Sequence, residues 1–332
     1  MINNHSITWV LKPFEIYLSD PNVFEIRINK FNEIVCDTTK GRVVKEDKNF
    51  HARFLIHEFL PALANFNEVN VAAINNLKLP DGSRVIICIP PAVAENTFAL
   101  SIRKHLPVTK SLEELMYEGR FKTTTNKSLN NELTLSEHEK MLFSLYEKKD
   151  YVSFLRQAVK KKQNIAISGS TNSGKTTFTK SLALEIPKEE RIILLEDVNE
   201  ISNMPHIEIV YLLYGEGKNR VSSSECLKAC MRLSPDRILL TELRDNAAWD
   251  FLAGANTAHP GSIFSVHADD AQTTPARIAD LVKQSEIGKG LDYTTILHKV
   301  KTTLDVVVFM ANRNIVEIMY DPLAKKKLLS AL

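Results

Sequence analysis

The chain has 332 residues, which favours two domains over one. Hydrophobic residues make up 44% and charged residues 25%, an ordinary globular balance. The net charge of +2 excludes a strong global field drawing the whole molecule onto nucleic acid. From the start of the chain, MINNHSITWVLKPFEIYLSD has no basic segment followed by a clean apolar run, so it reads as no signal peptide. No stretch approaches the apolar length of a membrane-spanning helix. VFEIRI alternates, NKFN offers turn residues and EIVCD resumes as a strand, together a hairpin signal. The stretch 51–63 is apolar at helical spacing. RVIICIP and TFALSIRK are two more strands, separated by Pro90 and Pro91.

From about residue 110 to 149 the character changes. SLEELMYEGRF reads as a short helix and TTTNKSLNNELT as a polar loop. SEHEKMLFSLYEKKD reads as a helix opened by a Ser136–Glu139 capping box. These readings divide the chain into an N-terminal α+β domain over 1–108, a linker over 109–150 and a second domain over 151–332. In the second domain NIAIS, RIILLE, HIEIVYL, RILLTE and GSIFSVH read as strands alternating with helices and loops, and LDVVVFM with NIVEIMY as a closing hairpin. Such alternation implies an α/β fold with a largely parallel sheet and ligands at the carboxyl ends of its strands. The four cysteines, Cys36, Cys88, Cys226 and Cys230, form no CxxC pair. They read as small buried hydrophobes in a reducing cytoplasm.

Chemistry enters at SGSTNSGKTTF. Gly169, Ser170, Thr171, Asn172, Ser173, Gly174, Lys175 and Thr176 fit G-x-x-x-x-G-K-[ST] between a strand and a helix, with Thr177 next. Backbone N–H groups and the positive end of the helix suit phosphate oxygens. Lys175 reaches the β- and γ-phosphates, and the Thr176 hydroxyl suits Mg²⁺. Asn172 stands where many such loops have glycine, and asparagine tolerates a positive φ best after glycine. Two acidic clusters follow strands: Glu196, Asp197 and Glu200, then Glu242 with Arg244 beside it. An acid at Glu242 suits Mg²⁺ or its waters, and a carboxylate suits positioning the attacking water. His267 ends an apolar strand where the sheet edge meets the phosphates, a place for sensing the γ-phosphate. No N-K-x-D guanine motif follows Lys175, so ATP is the expected nucleotide.

The order GSTNSGKT, RIILLEDVNEI, RILLTELRD, HPGSIFSVHA resembles the secretion-ATPase superfamily, whose members carry Walker A, Asp, Walker B and His boxes. LKPFEIYLSDPNVFEIRIN, DGSRV and LSIRK, among other stretches, are similar to its type IV secretion traffic ATPase branch, and the resemblance covers nearly the whole chain. It implies an N-terminal α+β domain joined to a RecA-like P-loop ATPase domain. It also implies a homo-hexamer, ATP and Mg²⁺ as cofactors, Glu200 as base, Glu242 as the Walker B acid and His267 as the His-box residue. Arg84 and Arg103 match two N-terminal-domain arginines that reach the phosphates. The implied partners are inner-membrane components of a type IV secretion machine and its coupling ATPase, with a peripheral position at the cytoplasmic face of the inner membrane. No direct nucleic-acid binding is expected.

Departures from the family pattern are Asn172, Thr241 and Ala258 in place of glycine, and Ser234 where arginine is common. The type II secretion and pilus-assembly ATPases share the four boxes, but this chain lacks the CxxC pairs of many assembly enzymes. A RecA-like nucleic-acid motor is disfavoured by the charge and by the absence of an aromatic-basic stretch. The lysine runs 160–162 and 325–327 read as solvated basic surface, with weak contact to anionic lipid as the alternative.

Overall fold

A computed structural model describes residues 4–105, 110–126, 133–217, 220–257 and 259–330. Ala258 lies outside the described residues. Two sheets organise the chain, and the fold is α/β as expected. The first sheet has six strands, all antiparallel, in the order β3-β2-β1-β6-β5-β4. Its strands are β1 (Val23–Ile28), β2 (Glu33–Thr38), β3 (Gly41–Glu46), β4 (Ile74–Lys78), β5 (Arg84–Cys88) and β6 (Ala99–Arg103). The expected β1–β2 hairpin forms, pairing Ile26 with Cys36. The apolar stretch beginning at 51 is helical, but its segment Phe54–Phe59 is a π-helix that passes into the α-helix Leu60–Phe66.

The second sheet has seven strands in the order β13-β12-β7-β11-β10-β8-β9. They are β7 (Ile165–Gly169), β8 (Ile192–Glu196), β9 (Ile209–Leu213), β10 (Arg237–Leu240), β11 (Ile263–Val266), β12 (Val306–Ala311) and β13 (Asn314–Met319). Each neighbouring pair is parallel except β12–β13, the closing hairpin. All residues of β7, β8, β10 and β11 are buried, because helices cover both faces of a parallel sheet. Hence these strands read as uninterrupted apolar runs rather than alternating ones. The helix Glu137–Glu147, within the segment read as linker, packs into this unit. Leu142 is buried in its core, and the Tyr146 hydroxyl donates to the Ile318 carbonyl at 2.8 Å. At the start of that helix the Glu139 carboxylate accepts from the Ser136 N–H at 2.7 Å.

Strand β5 joins the two units by its period of two. Val85 and Ile87 point into the core of the first sheet, whereas Ile86 and Cys88 join the core of the second. Behind β5, the Leu213 N–H donates to the Ala92 carbonyl at 2.8 Å. A buried ionic cluster extends the junction. Arg27 of β1 is fully buried and donates to both oxygens of Asp37, at 2.6 and 2.7 Å, and to both oxygens of Glu208, each at 2.9 Å. Arg191 reaches the same Glu208 at 2.6 Å, and Arg42 reaches it at 3.1 Å. Cys226 and Cys230 are buried in the second core. Among the described residues, no helix is long and apolar enough to cross a membrane. In the lysine runs, Lys162 pairs with Glu190, Lys325 with Asp305 and Lys326 with Glu139.

Candidate active site

The parallel register brings four chemical segments to one edge. The phosphate loop follows β7, Asp197 follows β8, Thr241 and Glu242 follow β10, and His267 follows β11. Because β7 lies between β12 and β11, the loop emerges near the middle of the sheet, the usual ligand position in open α/β folds.

The loop is shaped by left-handed residues: φ is 148° at Gly169, 61° at Asn172 and 96° at Gly174. Asn172 thus takes the conformation that glycine often supplies. Gly169 has a second constraint, since a Cβ there would meet the Met310 carbonyl oxygen at 2.2 Å. The helix Lys175–Ala183 begins at once, so its first N–H groups face the loop. Lys175 Nζ donates to the carbonyls of Gly169 and Ser170 at 2.9 and 2.7 Å. Burial lowers the pKa of Lys175, and the charge of Glu242 opposes this. An open cavity of about 750 Å³ runs along the loop, lined by residues 172–178, Ser181, Glu200, Met310 and residues 313–315.

Glu242 sits among positive groups. Its Oε2 accepts from Arg244 at 2.7 Å, and its Oε1 lies 3.4 Å from His267 Nε2. Burial pushes this carboxyl up, but Arg244, His267 and Lys175 outweigh burial and hold it below the ordinary value. Arg244 also donates to Asp197 at 3.2 Å, linking the ends of β8 and β10. Thr241 needs no left-handed backbone, so its replacement of glycine is accommodated. Its N–H donates to the Leu195 carbonyl at 3.1 Å, and its own carbonyl accepts from Ser265.

Glu196 behaves differently from its neighbours. It is fully buried, its Oε1 accepts from the Ile201 N–H at 3.0 Å, and its Oε2 has no partner among the described residues. Burial pushes its pKa up from 4.5 to about 7, against the N–H groups of Ile201 and Glu200 and with the charges of Glu200 and Asp197. The folded state therefore holds this proton to higher pH than the unfolded chain does. Stability falls as pH rises from 4.5 to about 7, by on the order of 3 kcal/mol in all. Glu196→Gln removes the buried charge. It is expected to flatten this slope and to raise stability at pH 8 more than at pH 5. Denaturant titrations at the two pH values check it, and equal effects at both would refute the assignment.

The sequence-predicted residues are spread over four cavities. Lys175, Thr176, Thr177 and Glu200 line the cavity along the loop, Gly169, Ser170, Thr171 and His267 line a second one, and Glu242, 3.4 Å from His267, lines a third with Asp197 and Arg244. Arg84 and Arg103 line another cavity, with Met231 and Arg232. Arg103 donates to Ser234 Oγ at 2.7 Å, and that hydroxyl donates to Glu25 at 2.6 Å. Ser234 is itself left-handed, at φ 54°. Sequence reasoning passed over Arg313. Its only signal was a polar ANRN turn between two apolar strands, and nothing local says what that turn overhangs.

A phosphate loop after an inner strand of a largely parallel sheet, with carboxylates after two other strands of that sheet, defines a P-loop ATPase of RecA-like architecture. A family model described as "Type II/IV secretion system protein" matches residues 56–317. The chain is 35% identical over 334 residues to the type IV secretion system protein VirB11 of Bartonella henselae, covering 96% of this chain and 94% of that one. VirB11 of Brucella suis is 35% identical over 338 residues, covering 97% and 92%. The crystal structure of the VirB11 ATPase from the Brucella suis type IV secretion system, in complex with sulphate, matches with a TM-score of 0.89 and 34% identity. That match covers 98% of this chain and all of the other. The chain belongs to the VirB11 branch of the type II/IV secretion system proteins.

Proposed function

We infer that this protein is the ATP-hydrolysing motor of a type IV secretion apparatus. The observation that carries the reading is the meeting of all four boxes at one edge of a single parallel sheet, in a chain similar to VirB11 along nearly its whole length. The phosphate loop binds the β- and γ-phosphates through its backbone N–H groups and Lys175. Mg²⁺ fits the donor set: Thr176 and Glu242 offer hard oxygen ligands, and this ion takes one or two protein oxygens beside phosphates and waters. When bound, it neutralises charge on the phosphate oxygens. Glu200 lines the loop cavity and takes the proton of the attacking water. Glu242, held by Arg244, stays ionised, and His267 beside it responds to the γ-phosphate. ATP hydrolysis that survived Lys175→Ala unchanged would overturn the reading.

Residues 1–108 act as an N-terminal domain, 109–150 as a linker and 151–332 as the motor domain, with the helix Glu137–Glu147 packed on the motor. Within one chain Arg84 and Arg103 do not share the phosphate-loop cavity. A role at the phosphates therefore places them on the nucleotide of a neighbouring subunit, in a homo-hexameric ring. Sedimentation with a non-hydrolysable ATP analogue is expected to give a species near six times 37.5 kDa. A monomer under every nucleotide condition would remove the ring and the trans role together. The ring docks on inner-membrane components of the secretion machine at its cytoplasmic face. Intramolecular pairing of Lys162, Lys325 and Lys326 favours protein docking over a lipid-binding patch.

A further inference from the structure

The wall beside the phosphate loop is built by a hairpin that none of the four boxes includes. β12 runs parallel to β7 with Met310 opposite Gly169, so the chain leaves the sheet next to the loop. It reverses through Asn312 and Arg313, left-handed at φ 50° and 63°, and Ala311 pairs with Asn314. This is a two-residue mirror-image turn, whose second position is least costly with glycine. Here it holds arginine, and a locally unfavourable choice of this kind is expected where a side chain serves function.

The turn lies directly on the loop. A Cβ added to Gly174 would sit 3.4 Å from Met310 Cε and 3.7 Å from Arg313 Cα. On β13, Ile315 and Glu317 face the consecutive residues Met310 and Phe309, which leaves Val316 as the extra residue of a bulge. Bulges re-aim the side chains around them. Glu317 accepts from the Ala271 N–H at 2.8 Å, fastening the hairpin to the segment after His267. Arg313 and Ile315 consequently line the cavity that also holds Lys175, Thr176 and Phe178. Among the described residues no carboxylate pairs with Arg313. A triphosphate carries more negative charge than the single Lys175 ammonium offsets, and a guanidinium offers paired, charge-assisted bonds to phosphate oxygens. Ile315 is 43% exposed, an apolar side chain at a polar mouth, where a flat ring would cover it.

We propose that the β12–β13 hairpin is the second wall of the nucleotide site, with Arg313 bonding the phosphate chain and Ile315, together with Phe178, bearing on the purine ring. The proposal rests on the phosphate loop being the ATP site. The test uses the full chain and calorimetric binding of a non-hydrolysable ATP analogue and of inorganic tripolyphosphate, with melting temperatures taken without ligand. Arg313→Gly is expected to melt at or above the wild-type temperature, because glycine suits the turn. It should bind both ligands roughly tenfold to a hundredfold more weakly. Arg313→Lys should recover part of that loss. Ile315→Ser should weaken the analogue and leave tripolyphosphate within about twofold of wild type. Wild-type affinity in Arg313→Gly, or a loss that only follows a lowered melting temperature, would overturn the proposal. Lys175→Ala separates the two levels: if it alone loses binding, the loop reading stands and the hairpin assignment falls. If it binds as wild type does, the loop reading itself falls.

Discussion

Lys175→Ala is expected to remove most nucleotide binding, whereas Glu200→Gln should bind ATP nearly as tightly as wild type and turn it over about 10²–10⁴-fold more slowly. The two residues line one cavity, and the roles proposed for them fall at different stages. In the proposed role Lys175 carries charge to the phosphates in ground and transition states alike, so its loss is expected in the dissociation constant. In the proposed mechanism Glu200 accepts a proton only as the water attacks, and a carboxamide of the same shape cannot do so. Its loss therefore belongs in kcat. The other acids of the site are already committed. Glu242 is held by Arg244 at 2.7 Å, and Glu196 is buried with its Oε1 on the Ile201 N–H. Glu196 instead ties the end of β8 to Ile201, next to Glu200. Steady-state ATPase rates and direct binding of an ATP analogue distinguish the roles. A Glu200→Gln enzyme with wild-type kcat would move the base elsewhere.

The motor half of the chain was legible because its physics is local. β7, β8, β10 and β11 are buried on both faces, so each appears as a short apolar run, and each is followed by one of the candidate site segments. The first sheet was less legible. β3 lies at its edge with five of six residues exposed, and the adjacent Val43 and Val44 of GRVVKE show no alternation that would mark it as a strand. β4 hides behind two asparagines. Asn75 is tolerated there because its side chain accepts from the Ala72 N–H and donates to the Ala72 carbonyl. The arginines show the same limit from the other side. Arg84, Arg103 and Arg313 are equally polar in sequence, yet only Arg313 reaches the phosphate-loop cavity of its own chain. That choice is made by strand order and by one hairpin turn, neither of which a motif encodes.

The junction between the two sheets yields the largest expected change in stability. Glu208 is fully buried and offers its two oxygens to Arg27, Arg191 and Arg42. Burial raises its pKa, but Arg191, Arg27 and Arg42 outweigh burial and keep it ionised. Glu208→Ala leaves these cations unequally supplied. Arg27 retains Asp37, and Arg42 retains Asp37 and Asp236. Among the described residues Arg191 retains only the Leu233 carbonyl, at 2.8 Å, and its Nη2 already has no partner there. Removing one member of a buried pair costs about 3–5 kcal/mol, because the surviving charge stays desolvated. Replacing the stranded cation by an apolar side chain of similar length costs far less. Arg191→Met should therefore lose about 1 kcal/mol or less, since Glu208 keeps Arg27 and Arg42. The double variant Glu208→Ala/Arg191→Met should be more stable than Glu208→Ala alone, the reverse of additivity. Denaturation followed by fluorescence can locate the loss, because Trp9 reports on the N-terminal unit and Trp249 on the motor. If Glu208→Ala unfolded within 1 kcal/mol of wild type, the cluster would not be what holds the first sheet to the motor. The packing of Ile86, Cys88, Ala92 and Val93, with the Arg42–Asp236 and Arg103–Ser234 links, would then be what holds it.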